Sequence, residues 1–157
     1  MAELRPVLLV EDSPNDIELT LEALEKSRLA NPVIVARDGV EALDLLLRRG
    51  NEPGGNAAQL PAVVLLDIKL PRVDGLEVLE RIRREPRTRH LPVVMLTSSR
   101  EEEDLIRSYG LGVNAFVVKP VGHREFFEAI RDIGAFWAVL NEPVPVPPNA
   151  LDAGNEA

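Results

Sequence analysis

Val63-Val64-Leu65-Leu66-Asp67 is a short apolar run that stops on a carboxylate. It is too short for a helix and shows no polar alternation, which is how a strand buried on both faces reads. Three more runs share the design. Val7-Leu8-Leu9-Val10 leads into Glu11 and Asp12, Val93-Val94-Met95-Leu96 into Thr97, and Phe116-Val117-Val118 into Lys119. Helix-like segments separate the runs. Parallel strands joined by helices bind their ligands outside the carboxyl ends of the strands. The sequence therefore predicts three carboxylates, one hydroxyl and one ammonium gathered on a single rim.

Outward from these runs, the intervening segments read as amphipathic helices. Ser13 followed by Pro14 is an N-cap and first-turn signal. Beyond it Ile17, Leu21 and Leu24 recur at helical spacing. A further strand is expected at Val33–Ala36, then a helix over about residues 40–49 with Leu43, Leu46 and Leu47 inward. Gly50-Asn51-Glu52-Pro53-Gly54-Gly55-Asn56 has the composition of a loop. The third helix carries Leu76, Leu79 and Ile82. The fourth, over about residues 101–111, has an acidic first turn and only a thin stripe of Leu105, Ile106 and Tyr109. The fifth runs over about residues 124–140. Five β–α units with apolar strands predict one α/β domain over residues 1–140, a parallel sheet covered on both faces. Residues 141–157 are rich in proline and in small or polar residues, and an extended or disordered tail is expected there.

The 157 residues carry a formal net charge of −8 and no cysteine. Disulfides, thiolate nucleophiles and zinc–thiolate sites are thereby excluded. The acidic balance disfavours nonspecific binding to nucleic acid or to anionic membrane. The basic run at 81–90 lacks interleaved aromatic residues and reads as a solvated helix end. No apolar stretch approaches the roughly 20 residues of a bilayer span. Met1-Ala2-Glu3-Leu4-Arg5-Pro6 runs into the first strand without a signal-peptide layout, and a cytoplasmic protein is expected.

Three converging carboxylates repel one another when ionised, and a hard divalent cation such as Mg²⁺ relieves that repulsion. Asp67 is also a candidate nucleophile, since a carboxylate can accept a phosphoryl group as an acyl phosphate. Such transfer depends on positioning and on neutralising charge at the phosphoryl oxygens. The Lys119 ammonium and the Thr97 hydroxyl could each hold one of those oxygens.

The motifs Val10-Glu11-Asp12, Leu66-Asp67-Ile68-Lys69-Leu70-Pro71, Asp74-Gly75, Leu96-Thr97-Ser98 and Val118-Lys119-Pro120 resemble those of response regulator receiver domains, with the family's spacing from Asp67 to Thr97 and Lys119. The resemblance implies a flavodoxin-like (βα)5 fold with strand order 2-1-3-4-5. It implies Asp67 as phosphoacceptor, Mg²⁺ on Glu11, Asp12, Asp67 and the Lys69 backbone carbonyl, and Lys119 bridging to the phosphoryl group. Thr97 and Phe116 would be the switch residues. Lys69 and Ser99 fall where the family tunes phosphoryl lifetime. The long interval between Asp12 and Asp67, the ending Phe136-Trp137-Ala138-Val139-Leu140-Asn141 and a short tail resemble the single-domain regulators of bacterial phytochrome kinases.

The expectation is a stand-alone regulator that takes its phosphoryl group from a histidine kinase and acts through protein contacts, not as an enzyme. Neither His90 nor His123 suits phosphotransfer, so the donor lies outside the chain. An aspartate-nucleophile phosphatase is the competing enzyme reading. It needs an acid/base aspartate two residues past the nucleophile, where this chain has Lys69. A non-phosphorylated pseudo-receiver is opposed by the complete acidic set. On the fifth helix Phe126, Ile130, Ile133 and Trp137 suffice to cover a sheet. Phe127, Phe136, Val139 and Leu140 widen the apolar surface, which predicts a homodimer through the fourth helix, fifth strand and fifth helix.

Overall fold

The computed structural model describes residues 5–27, 29–48, 60–134 and 136. The chain alternates β1 (Val7–Val10), α1 (Pro14–Lys26), β2 (Val33–Ala36), α2 (Gly39–Leu43, continued as a π-helical turn over Asp44–Arg48), β3 (Val63–Asp67), α3 (Gly75–Arg84), β4 (Val93–Thr97), α4 (Arg100–Ser108), β5 (Ala115–Val118) and α5 (Arg124–Ile133). The strands form one parallel sheet in the order β2-β1-β3-β4-β5. The expected flavodoxin-like topology is the one observed.

Burial follows sheet position. Every residue of the inner strands β1, β3 and β4 is buried, whereas the edge strands β2 and β5 are largely half-buried. Alternation along each strand sorts the side chains to two faces. Leu8, Val10, Val64, Leu66, Val93 and Met95 meet the helices α2, α3 and α4 on one side. Val7, Leu9, Val63, Leu65, Val94 and Leu96 meet α1 and α5 on the other, where Ile17, Leu24, Phe126 and Ile130 close the core.

Four helices start on a side-chain cap. Ser13, Asp38, Asp74 and Ser99 accept from the backbone N–H three residues on, at the starts of α1, α2, α3 and α4. Two expectations are corrected. Helix α4 stops at Ser108, not at 111, because Gly110 turns the chain with φ 63°, a left-handed conformation that glycine adopts without strain. Its stripe is thinner than expected: Ile106 is buried, but Leu105 and Tyr109 are about half exposed. With about 100° per residue, an inward Ile106 places both on one flank of the helix, beside the sheet and not over it. The expected outer turns of α5, with Trp137, Val139 and Leu140, and the tail 141–157 lie outside the described residues. So do the loop 50–56 and, with it, the full boundary of the 1–140 domain.

Candidate functional site

Parallel register aligns the carboxyl ends of the strands. Val10 pairs with Leu66, Asp67 with Leu96, and Thr97 with Val118, so each next residue emerges on the same edge. Glu11 follows β1, Asp67 ends β3, Thr97 ends β4 and Lys119 follows β5. Backbone bonds hold the ends in place: Glu11 N–H donates to the Ala36 oxygen at 3.0 Å, and Lys119 N–H to the Thr97 oxygen at 2.7 Å. The turn after β3 is held by Gly75 N–H donating to the Ile68 oxygen at 2.8 Å.

The three predicted acids do meet. One carboxylate oxygen from each of Glu11, Asp12 and Asp67 lies within 4.8 Å of the others. Glu11 and Asp67 are buried, and Asp12 is exposed. An all-oxygen donor set of this kind fits a hard cation such as Mg²⁺ or Mn²⁺, which retains waters beside one or two carboxylates. Lys69 lies next to this cluster, its N–H donating to Asp67 Oδ1 at 3.3 Å. A cavity of about 570 Å³ opens beside the acids, lined by Asp12, Lys69, Glu102, Ile68, Leu70 and Leu105.

Lys119 closes the rim. Its ammonium donates to Glu11 Oε2 at 2.9 Å, to Asp67 Oδ2 at 3.1 Å and to Asp16 Oδ2 at 3.1 Å. The same contact acts oppositely on its two ends. At Glu11 burial dominates, and with the Asp67 charge it lifts the carboxyl to about 7 against the Lys119 hydrogen bond and charge. At Lys119 burial lowers the pKa, but the hydrogen bonds and charges of Glu11, Asp67 and Asp16 outweigh it and hold the ammonium above its ordinary value. Lys119 is therefore fully charged at neutral pH.

Thr97 is completely buried, and among the described residues its hydroxyl has no hydrogen-bond partner. Buried polar atoms are rarely left so, and an orphan at a rim invites a ligand oxygen. Phe116 pairs with Met95 across β4 and is half-buried under the guanidinium of Arg107, 4.5 Å from the ring centre. The side chain of Lys69 turns to Glu102, with Nζ to Oε1 at 3.4 Å, and is 77% exposed. Glu102 also accepts from Ser98 N–H at 2.8 Å, so the turn after β4 and the start of α4 share this carboxylate.

Asp16, Glu102 and Arg107 were not legible as site residues. Asp16 carried one available signal, its place on the first turn of the helix that follows Glu11 and Asp12. An acid there also suits any helix N-terminus, which masked it.

This doubly wound α/β domain carries a lysine-closed acidic rim at the carboxyl ends of its strands, and a family model for the response regulator receiver domain matches residues 7–131. The chain belongs to that family. Response regulator Rcp1 of Synechocystis sp. is 38% identical over 131 residues, covering 83% of this chain and 87% of Rcp1. The solved structure of the bacteriophytochrome response regulator AtBRR is 64% identical, covers 90% of this chain and 100% of its own, and superposes with a TM-score of 0.71. The bacteriophytochrome response regulator RtBRR is 57% identical, covering 96% and 90%, with a TM-score of 0.72. A crystal structure of Rcp1 is of its Mn²⁺-bound form; it is 35% identical, covers 90% and 99%, and has a TM-score of 0.74.

Proposed function

We propose that this receiver accepts a phosphoryl group on Asp67 from a histidine kinase, in particular a bacteriophytochrome kinase, and changes its protein contacts in response. The observation that carries the reading is the Lys119 ammonium at 3.1 Å from the Asp67 carboxylate, inside the acidic cluster and on the same edge as an orphaned Thr97 hydroxyl. An Asp67 oxygen forms the new O–P bond as the N–P bond of a phosphohistidine breaks, and the freed imidazole nitrogen takes a proton. Lys119 neutralises charge on the transferred group. A divalent cation, Mg²⁺ by this reading, would be held by Glu11, Asp12, Asp67 and the Lys69 carbonyl and would supply further positive charge to the phosphoryl oxygens. The Mn²⁺-bound form of Rcp1 supports that choice of donor set, and the AtBRR and RtBRR relatives support the phytochrome partner.

Thr97 would bond the phosphoryl group and draw Phe116 from under Arg107, biasing a pre-existing equilibrium of α4 and β5. Slow hydrolysis of the acyl phosphate resets the switch. Lys69 paired to Glu102 in place of an acid/base carboxyl supports a switch and not a turnover phosphatase. Half-exposed Leu105, Tyr109, Val118 and Phe136 support the homodimer through α4, β5 and α5. A receiver over 1–140 with a tail at 141–157, in the cytoplasm with its kinase and away from nucleic acid and membrane, completes the proposal.

Phosphotransfer from a light-regulated bacteriophytochrome kinase to the wild type and to Asp67→Asn tests it. Label on the wild type that requires Mg²⁺ and disappears in the variant is expected. Label retained by Asp67→Asn would overturn the site.

A further inference from the structure

We propose that Asp16 is a positioning residue for Lys119, the carboxylate that keeps the ammonium in place once a divalent cation engages Glu11 and Asp67. The inference rests on the phosphoacceptor reading above and names a part of that site which the receiver motifs do not include. An ammonium has three N–H donors and no acceptor. Here all three have carboxylate partners: Glu11 at 2.9 Å, Asp16 at 3.1 Å and Asp67 at 3.1 Å. Two of these partners, Glu11 and Asp67, belong to the cluster whose oxygens converge within 4.8 Å, and Asp16 does not. A cation in that cluster takes charge and lone pairs from two of the three acceptors and places a like charge beside the ammonium. Asp16 is the acceptor it leaves untouched.

The local structure suits that task. Asp16 sits in the first turn of α1, its N–H bonded to the Ser13 hydroxyl oxygen at 3.3 Å, so its carboxylate starts from a fixed backbone. Its side chain is 24% exposed and that of Lys119 15%, so the pair is partly shielded from water. With Asp16 as pivot, the donor freed from Asp67 Oδ2 can turn to a phosphoryl oxygen while the ammonium stays on the rim. Without it, the ammonium is repelled toward solvent. An acid that serves only the helix dipole would make no such distinction, since that effect is indifferent to the cation.

The test uses the full chain and ¹⁵N NMR of the Lys119 Nζ, titrated with Mg²⁺ alone and then with beryllofluoride. The wild type is expected to keep a slowly exchanging Lys119 signal throughout. Asp16→Ala should keep it without Mg²⁺, through Glu11 and Asp67, and lose it as Mg²⁺ is added. In Mg²⁺, labelling of Asp67 by phosphoramidate should slow roughly three- to tenfold in Asp16→Ala, the loss of one partly screened, charge-assisted hydrogen bond. Asp16→Asn retains an acceptor oxygen and should stay within about twofold of wild type. A Lys119 signal in Asp16→Ala that Mg²⁺ leaves unchanged overturns the proposal, as does an Asn variant as slow as the Ala variant. A wild type that phosphoramidate does not label overturns the phosphoacceptor reading instead, and the Mg²⁺ titration, which needs no phosphoryl group, still decides the role of Asp16.

Discussion

At the scale of single residues, the rim holds Glu11 and the Thr97 hydroxyl in states that cost free energy in the resting protein. The Thr97 hydroxyl is buried and unpaired, a condition worth roughly 1–3 kcal/mol of lost stability. Valine has nearly the same shape without the polar atom. Thr97→Val is therefore expected to match or exceed wild-type stability by up to about 1 kcal/mol in urea unfolding, while losing the spectral response to beryllofluoride. Glu11 makes a second test. Burial first, with help from Asp67, holds its carboxyl at about 7 in place of 4.5. Between those values the native state keeps a proton that the unfolded chain has released, so Glu11 lowers folding stability as pH rises from about 4.5 to about 7. Lys119 has the opposite character: its contribution is complete below 10.5 and is lost only as the pH climbs above that value. A cation needs the ionised carboxylate. Calorimetry should find Mg²⁺ affinity rising about fivefold from pH 6 to 7 and about twofold from pH 7 to 8. A flat profile would remove Glu11 from the ligand set.

At the scale of elements, two turns do most to hold the site. Asp74-Gly75 reads in the sequence as part of a turn, and the structure adds a cap there, with Asp74 Oδ1 accepting from Glu77 N–H at 2.9 Å. The reason for glycine lies in the packing. A Cβ at Gly75 would overlap the Asp67 backbone oxygen and come within 2.7 Å of Ile68 Cα. Gly75→Ala must push α3 off the end of β3. A cost of about 1–3 kcal/mol by thermal unfolding is expected, with slower labelling of Asp67 at temperatures where the variant is folded. Arg83 secures the other turns. From α3 its guanidinium donates to the carbonyls of Leu91 at 2.7 Å, Arg89 at 3.0 Å, Leu111 at 2.9 Å and Gly112 at 2.7 Å. In the sequence it is one arginine in a basic run. Arg83→Met is expected to destabilise by about 2–3 kcal/mol and to raise hydrogen exchange around Gly112 and Asn114. Helix periodicity was legible for α1 and α3, whose apolar positions fall as expected. It misled at α4, where spacing identifies a stripe but cannot say how far the helix lies over the sheet.

At the scale of the molecule, Leu105 on α4, Tyr109 at its C-terminal cap and Val118 on β5 are each about half exposed. In the proposed homodimer these side chains would be covered by the second copy. Light scattering at micromolar concentration should give a dimer for the wild type and a monomer for Leu105→Asp with Tyr109→Asp. A wild-type monomer, with and without beryllofluoride, would dispose of the dimer. The alternation of strands and helices and the cap at Ser13 were determined by the sequence alone, because each is set by neighbours within a few positions. Tertiary structure decided what the rim residues meet. Lys119 reaches Glu11 and Asp16 across 108 and 103 positions of chain. That convergence exists only because β1 and β3 lie side by side in the sheet while α1 packs against α5. The paired Lys69, the stacked Phe116 and the unpartnered Thr97 have the same origin. Burial and the angle at which a helix docks belong to the assembled sheet, and no local pattern encodes them.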